Sequence, residues 1–144
     1  MCLAPPTASY SYAIIRLVPC VTRGEFVNVG VILFARTFGF LETRIEVDRD
    51  RVRALAPDLD LDLVVRHLRN LQRISAGVPD AGPVATLPPS ERFHWLTAPR
   101  STMIQPSPVH VGLTDDPAAA LEHLMDVYVR RRRCVAPSAG ADVR

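Results

Sequence analysis

The segment Phe26 to Ala35 reads FVNVGVILFA, and it constrains the fold more than any other part of the chain. Val27, Val29, Val31, Leu33 and Ala35 recur at every second position and form an unbroken apolar face, while Phe26, Asn28, Gly30, Ile32 and Phe34 form a mixed one. A period of two is the pleat of a β-strand, and a run this apolar belongs at the centre of a sheet, with Val29, Val31 and Leu33 in the core. Tyr10 to Val18 alternates in the same way, setting Ala13, Ile15 and Leu17 against Tyr10, Tyr12, Ile14 and Arg16, until Pro19 ends it. Phe40 to Val47 turns Leu41, Thr43, Ile45 and Val47 inward and Glu42, Arg44 and Glu46 outward. The short connection through Thr37 and Gly39 suits a hairpin, so three antiparallel strands are expected to open the domain.

The period then changes. Asp48 to Ala56 forms a short helix ended at Pro57, and Asp58 or Asp60 caps the next by accepting from free backbone N–H groups. Leu61, Val64, Val65, Leu68, Leu71 and Ile74 make one apolar stripe at helical spacing, with Gly77 as the stop. Residues 78–92 hold Pro79, Pro83, Pro88 and Pro89 among few large apolar groups and read as an extended surface linker within one domain. The last helix has Asp116 as its cap, Pro117 at the first helical position, and Leu121, Leu124, Met125 and Tyr128 on one side. The predicted class is α+β: an antiparallel sheet of three or more strands packed on one face by two main helices. Residues 1–9 are expected to be flexible, 10–133 to form a single domain, and 134–144 to be a disordered tail.

Composition agrees with one soluble domain. The chain has 144 residues, 48% hydrophobic and 22% charged, enough apolar material to bury a core without disulfide or metal. Arg16, Arg23, Arg36 and Arg44 interrupt every apolar run that approaches a membrane-spanning length. All 17 basic residues are arginine, a bias that reads as codon composition, yet it means that any anion site must use guanidinium forks. Cys2, Cys20 and Cys134 are odd in number and widely spaced, fitting neither a disulfide framework nor a zinc cluster. With no basic leader followed by an apolar stretch, the expected compartment is the reducing cytoplasm.

Three segments carry candidate chemistry, each with a plainer reading. In Arg23 to Gly30 a turn enters the central strand, and Arg16, Glu25 and Asn28 are the residues from which a pocket could be built. A turn ion pair plus a β-bulge at Gly30 accounts for the same letters. Phe93 to Gly112 holds the single Trp, two of the four His and many uncharged polar groups. Arg100, Ser101 and Thr102 offer a guanidinium and two hydroxyls for a carboxylate or phosphate, with Gln105 and His110 alongside. This loop is expected to be ordered against the sheet near Arg16 and Asn28, with Trp95 and Leu96 anchoring it in the core. A nucleophilic serine with His110 and Asp115 or Asp116 lacks any flanking motif, and Asp116 has a capping role. His94, His110 and His123 lack ligand spacing, so no metal and no cofactor is implied. Arg130 to Arg133 could touch nucleic acid, but cations at a helix C-terminus also satisfy its carbonyls, and a nearly neutral domain with a formal charge of +2 is a poor nucleic-acid module.

YSYAIIRLVP, RGEFVNVGVILF and FHWLTAPRSTMIQPSPVHVGLTDDP, spanning Tyr10 to Pro117, together resemble an uncharacterised bacterial family, domain of unknown function 3037. The positions that match its signature are Arg16, Glu25, Asn28, Gly30, Arg100, Ser101 and Gln105. The resemblance implies a small stand-alone protein, in some members encoded beside a HipA-like kinase, and hence an accessory or interaction role with no catalytic residue to carry over. The leading expectation is a non-enzymatic cytosolic domain that binds a protein partner, with a HipA-like kinase as the implied one. The alternatives are an enzyme or small anionic-ligand binder using Arg100, Ser101, Thr102 and His110, and a weak nucleic-acid binder through the C-terminal arginines.

Overall fold

The computed structural model describes residues 6–131, which form five strands and four α-helices. Strand β1 (Ala8–Leu17) begins two residues earlier than the alternation indicated. Its first residues are held by pairing, Ala8 to Thr114 and Ser9 to Leu113, so the expected flexible N-terminus gives way to strand at Ala8. β2 (Val27–Ala35) pairs antiparallel with β1 on one side and with β3 (Phe40–Ile45) on the other, as the central-strand reading requires.

The unbroken apolar face expected of β2 is split in two. Ile15 pairs with Gly30 but Arg16 pairs with Asn28, leaving Val29 as an extra residue in a β-bulge. A one-residue slip exchanges the faces of a strand. Val27 and Val29 therefore join Ile15, Leu17, Ile32 and Phe34 on one side of the sheet, while Val31, Leu33 and Ala35 join Ile14 on the other. The bulge lies at glycine for a steric reason. A Cβ on Gly30 would stand 2.5 Å from the Arg44 carbonyl oxygen of β3 and 2.7 Å from Ile45 Cδ1.

Because β2 is apolar on both sides, both sides are covered. The two main helices, expected to share one face, lie on opposite faces. Helix α1 (Arg49–Leu55) and helix α2 (Leu61–Ser75) bury Val52, Leu61, Val64, Leu68 and Ile74 against the first face. Their caps are Asp48 and Asp60, whose carboxylates accept from the N–H groups of Arg51 and Leu63. Helix α4 (Pro117–Tyr128) lies on the opposite face, packing Leu121, Leu124 and Met125 against Val31 and Leu33, with Asp116 accepting from the Ala119 N–H.

Residues 78–92 are not the extended linker that their prolines predicted. Pro79–Ala81 and Pro83–Thr86 are 3-10 turns, Ala85 is buried, and helix α3 (Pro89–Thr97) starts inside the segment and runs through Trp95. Pro79, Pro83 and Pro89 each open a helical turn, where a missing N–H costs nothing and a fixed φ helps. Phe93 packs edge-on to Phe34 with ring centroids 5.5 Å apart, fixing α3 to the α2 side of the sheet.

The long polar loop after α3 returns to the sheet. β4 (Ile104–Pro106) and β5 (His110–Thr114) both pair with the outer side of β1, β4 along Ile15–Leu17 and β5 along Ala8–Tyr12. Between them Ser107 is buried and keeps the pairing continuous: its N–H donates to Ile14 O and its Oγ accepts from the Ile14 N–H, both at 2.8 Å. The sheet order is β3-β2-β1, with β4 and β5 sharing the last position. Among the described residues no helix is long and apolar enough to cross a membrane. The Cys134 to Arg144 tail, Cys2, Arg132 and Arg133 lie outside the described residues.

Candidate functional site

The sequence-predicted residues fall in two places on opposite sides of the sheet. Arg16, Asn28 and Gln105 are cross-strand neighbours on β1, β2 and β4, and all three face the α4 side. The Arg16 guanidinium stacks over Phe26 at 4.5 Å from the ring centroid, a cation–π contact that covers its flat face. Asn28 Nδ2 donates to Tyr128 O, one of the open carbonyls at the end of α4, at 3.0 Å. Arg16 Nε and Asn28 Oδ1 are buried and have no hydrogen-bond partner among the described residues. Gln105 Nε2 is spent on Thr102 O at 2.8 Å.

Glu25 serves the turn. Arg23 Nε donates to Glu25 Oε1 at 2.7 Å, so the plain reading of this segment, an ion pair plus a bulge, describes what the residues do. Cys20 nearby is a free, exposed thiol, its pKa lowered by the Thr22 hydroxyl and then by the Arg23 N–H. Further along the α4 side, Tyr12 stacks with His110 and Tyr128, and its phenol is pushed up to about 12 by the hydrogen bond with Tyr128 and by burial. The Tyr10 ring packs over Gly112, where an added Cβ would come within 2.5 Å of it.

Arg100 is not part of this group. It lies on the α2 side, its guanidinium 4.3 Å from the Trp95 ring centroid and its Nη2 donating to Trp95 O at 2.7 Å. The surface that Arg100 was expected to share with Arg16 and Asn28 is therefore not formed, because α3 ends beneath Arg100 before the chain crosses to the β4 edge. Leu96 is buried as expected, but Trp95 is 39% exposed and anchors nothing in the core. Instead Trp95, Arg100 and Thr102 face His67, Asn70 and Leu71 of α2 across a groove of about 320 Å³ floored by Met103 and Ile104. Ser101 is exposed and makes no side-chain hydrogen bond among the described residues, and Ser107 Oγ accepts from the Ile14 N–H and donates to Pro108 O, so it is committed to the backbone. Asp116 is occupied as the α4 cap. Among the described residues no three His, Cys, Asp or Glu side chains gather as metal ligands.

The arginines at the end of α4 are tied down. Arg130 donates to Glu46, Glu122 and Asp126, Arg44 donates to Glu122, and Arg131 forms a two-bond fork with Asp48 at 2.9 Å each. Arg130, then Arg44, hold the Glu122 carboxyl below the usual glutamate range. Arg51 Nη1 adds a bond to Val129 O at 3.2 Å. Arg130 and Arg131 thus lock α4 to β3 and the start of α1, which leaves them little capacity to grip phosphates.

The site that sequence reasoning missed is the outer edge of β5. Val111 and Leu113 are 71% and 73% exposed on one face, Val109 is exposed just before them, and no strand lies beyond β5 among the described residues. The signal was present as the alternation VHVGLT after Pro108, which reads as a short strand once the loop around it is discounted.

No curated protein and no solved structure matches the chain. The family model described as protein of unknown function (DUF3037) matches residues 12–129, from the Tyr12 of β1 to the last turn of α4, and the chain belongs to that family.

Proposed function

We propose that this protein is a non-enzymatic binding module that takes an extended segment of a protein partner along the outer edge of β5. The observation that carries this reading is the contrast between the two edges of the sheet. β3 is guarded as edge strands usually are, with Glu42 and Arg44 charged and Arg44 bound to α4. β5 is unguarded: Val109 to Thr114 holds no acidic residue, arginine or proline, and two of its large apolar side chains face solvent. An exposed strand edge with apolar side chains at alternate positions is the surface used in β-strand addition, where main-chain hydrogen bonds supply affinity and side-chain contacts supply selectivity. The fitting partner segment is extended and places small apolar residues over Val111 and Leu113.

The kinase-like partner implied by the family resemblance is the first protein to test, and a cytoplasmic meeting place goes with it. The tagged protein purified from its host at moderate salt should bring down that kinase in stoichiometric amount, and a synthetic peptide from the kinase's contact region should bind the pure protein. The double variant Val111→Lys/Leu113→Lys should lose both interactions while melting within a degree or two of the parent, since both positions are solvent-exposed. Undiminished binding by that variant, or a homodimer through the same edge in place of a heterologous complex, overturns the reading.

A further inference from the structure

The groove between α2, α3 and β4 holds a second site, on the other side of the protein's chemistry from a strand edge. Its floor is apolar, Leu71, Met103 and Ile104, and its walls carry polar groups only at the rim: His67, Asn70, Thr102 and Arg100. Among the described residues no carboxylate lines it. Arg100 is held in place before any ligand arrives, because its flat face lies on Trp95 and one of its N–H groups is fixed on Trp95 O. Its remaining N–H groups have no carboxylate partner among the described residues, and partial burial lowers the pKa of the guanidinium. A guanidinium partly withdrawn from water without a counter-charge favours an approaching anion.

The surroundings reinforce the sign. α2 exposes Arg66, Arg69 and Arg73 as well as His67, and none of these arginines forms an ion pair among the described residues. The single acidic residue of α2, Asp62, sits in its first turn beside Arg49. Several unneutralised cations on one helix beside a concave apolar wall raise the local concentration of anions. Trp95 is 39% exposed, so the part of its indole that Arg100 does not cover is open to a planar group.

We infer that this groove binds a small ligand with a planar apolar body and a single anionic end, a carboxylate or a phosphate. The body lies on Leu71, Met103 and Ile104, and the anion meets the free side of the Arg100 fork, with Asn70 and Thr102 as further donors. The volume of about 320 Å³ suits a body of one or two rings, at the small end of ligand cavities. Arg100 here is a ligand-binding residue, with no reaction attached to it.

Trp95 is the only tryptophan in the chain and lines the groove, so its emission reports on this site alone. Phenyl phosphate and benzoate, titrated separately into the full-length protein, distinguish the two anions, while inorganic phosphate and benzyl alcohol test the apolar and charged halves. The expected result is a saturable change in Trp95 emission with one of the ring-bearing anions, and affinities for inorganic phosphate and benzyl alcohol lower by about tenfold or more. Arg100→Gln should weaken the preferred anion by about tenfold or more while leaving the melting midpoint nearly unchanged. Asn70→Leu gives an independent loss at the opposite wall, and ligand-observed NMR reads both variants without relying on tryptophan. Binding of benzyl alcohol equal to the anions, affinity unchanged in both variants, or no saturation by either anion up to about 10 mM overturns the inference.

Discussion

Gly30→Ala tests the bulge on which the two-faced core depends. The new methyl group would lie 2.5 Å from the Arg44 carbonyl oxygen, 2.7 Å from Ile45 Cδ1 and 3.2 Å from Ile15 Cδ1. Ile45 can rotate its terminal methyl, but the carbonyl belongs to the paired backbone of β3 and moves only with the strand. β3 is held on its far side as well, since Arg44 is bound to Glu42 and Glu122, so a retreat of several tenths of an ångström also loosens the ion network on α4. Overpacking of this kind costs about 1–3 kcal/mol. Against it stands a gain of about 0.4–1 kcal/mol from the stiffer unfolded chain when glycine becomes alanine. A net loss of about 1–2 kcal/mol is expected, read as a lower urea midpoint at unchanged slope, with amides of β2 and β3 exchanging faster than those of α4. A Gly30→Ala protein as stable as the parent, with unaltered exchange across β2 and β3, would refute the close approach and with it the steric reason for placing the bulge there.

Val31→Asp should abolish cooperative unfolding and leave little soluble protein, because it buries a carboxylate among Leu121, Leu124 and Met125 while its cross-strand neighbour Arg44 is already bound to Glu42 and Glu122, at a cost of several kcal/mol against a total stability of about 5–15 kcal/mol. Ser107→Ala should cost about 1–3 kcal/mol by orphaning the buried Ile14 N–H, and the Ile14 amide should show the loss directly in hydrogen exchange. The depressed Glu122 carboxyl fixes an acid limb: a folded value below the unfolded one stabilises above the ordinary glutamate range and is lost as pH falls through the folded value. Chemical denaturation measured from pH 6 down to about 2 should therefore lose stability more steeply in the parent than in Glu122→Gln.

How far the sequence could be read depended on which physical signal each element uses. α2 was fully legible, since Leu61, Val64, Leu68 and Ile74 repeat at helical spacing and Asp60 stands where a cap should. β1 and β3 were legible by alternation. A bulge beside Gly30 was legible too, but its consequence was not, because periodicity counts residues and cannot see the slip at Val29 that exchanges the two faces of β2. The covering of both sheet faces follows from that slip and was hidden with it. α3 is hidden for a different reason: proline reads as a breaker, whereas Pro79, Pro83 and Pro89 each stand at a helix start, a role that local sequence shares with turns. Of the candidate residues, Arg16, Asn28 and Gln105 were rightly associated and Arg100 was not. Three residues of β4 are enough to carry Gln105 to one face of the sheet while Arg100, five positions earlier, stays with α3 on the other.

The split between β4 and β5 bounds the length of sheet edge on which the proposed strand addition could act. β1 is ten residues long, and a single strand along its outer side would have exposed an edge of equal length. The chain instead pairs three residues, keeps contact with β1 through Ser107, leaves the line over Pro108 and Val109, and pairs five more. Pro106 closes the edge of β4, since a proline offers no N–H to a further strand, and Pro108 does the same at the break. Ser107 takes both Ile14 bonds inward, so nothing is left unpaired in the gap. What remains is the five-residue edge His110–Thr114, about 17 Å long at about 3.4 Å per residue, with Val111 and Leu113 on one face and the Tyr10 and Tyr12 rings supporting Gly112 and His110 on the other. A partner segment of about five residues therefore matches the edge, and lengthening a bound peptide beyond the β5 register toward Pro108 should add little affinity.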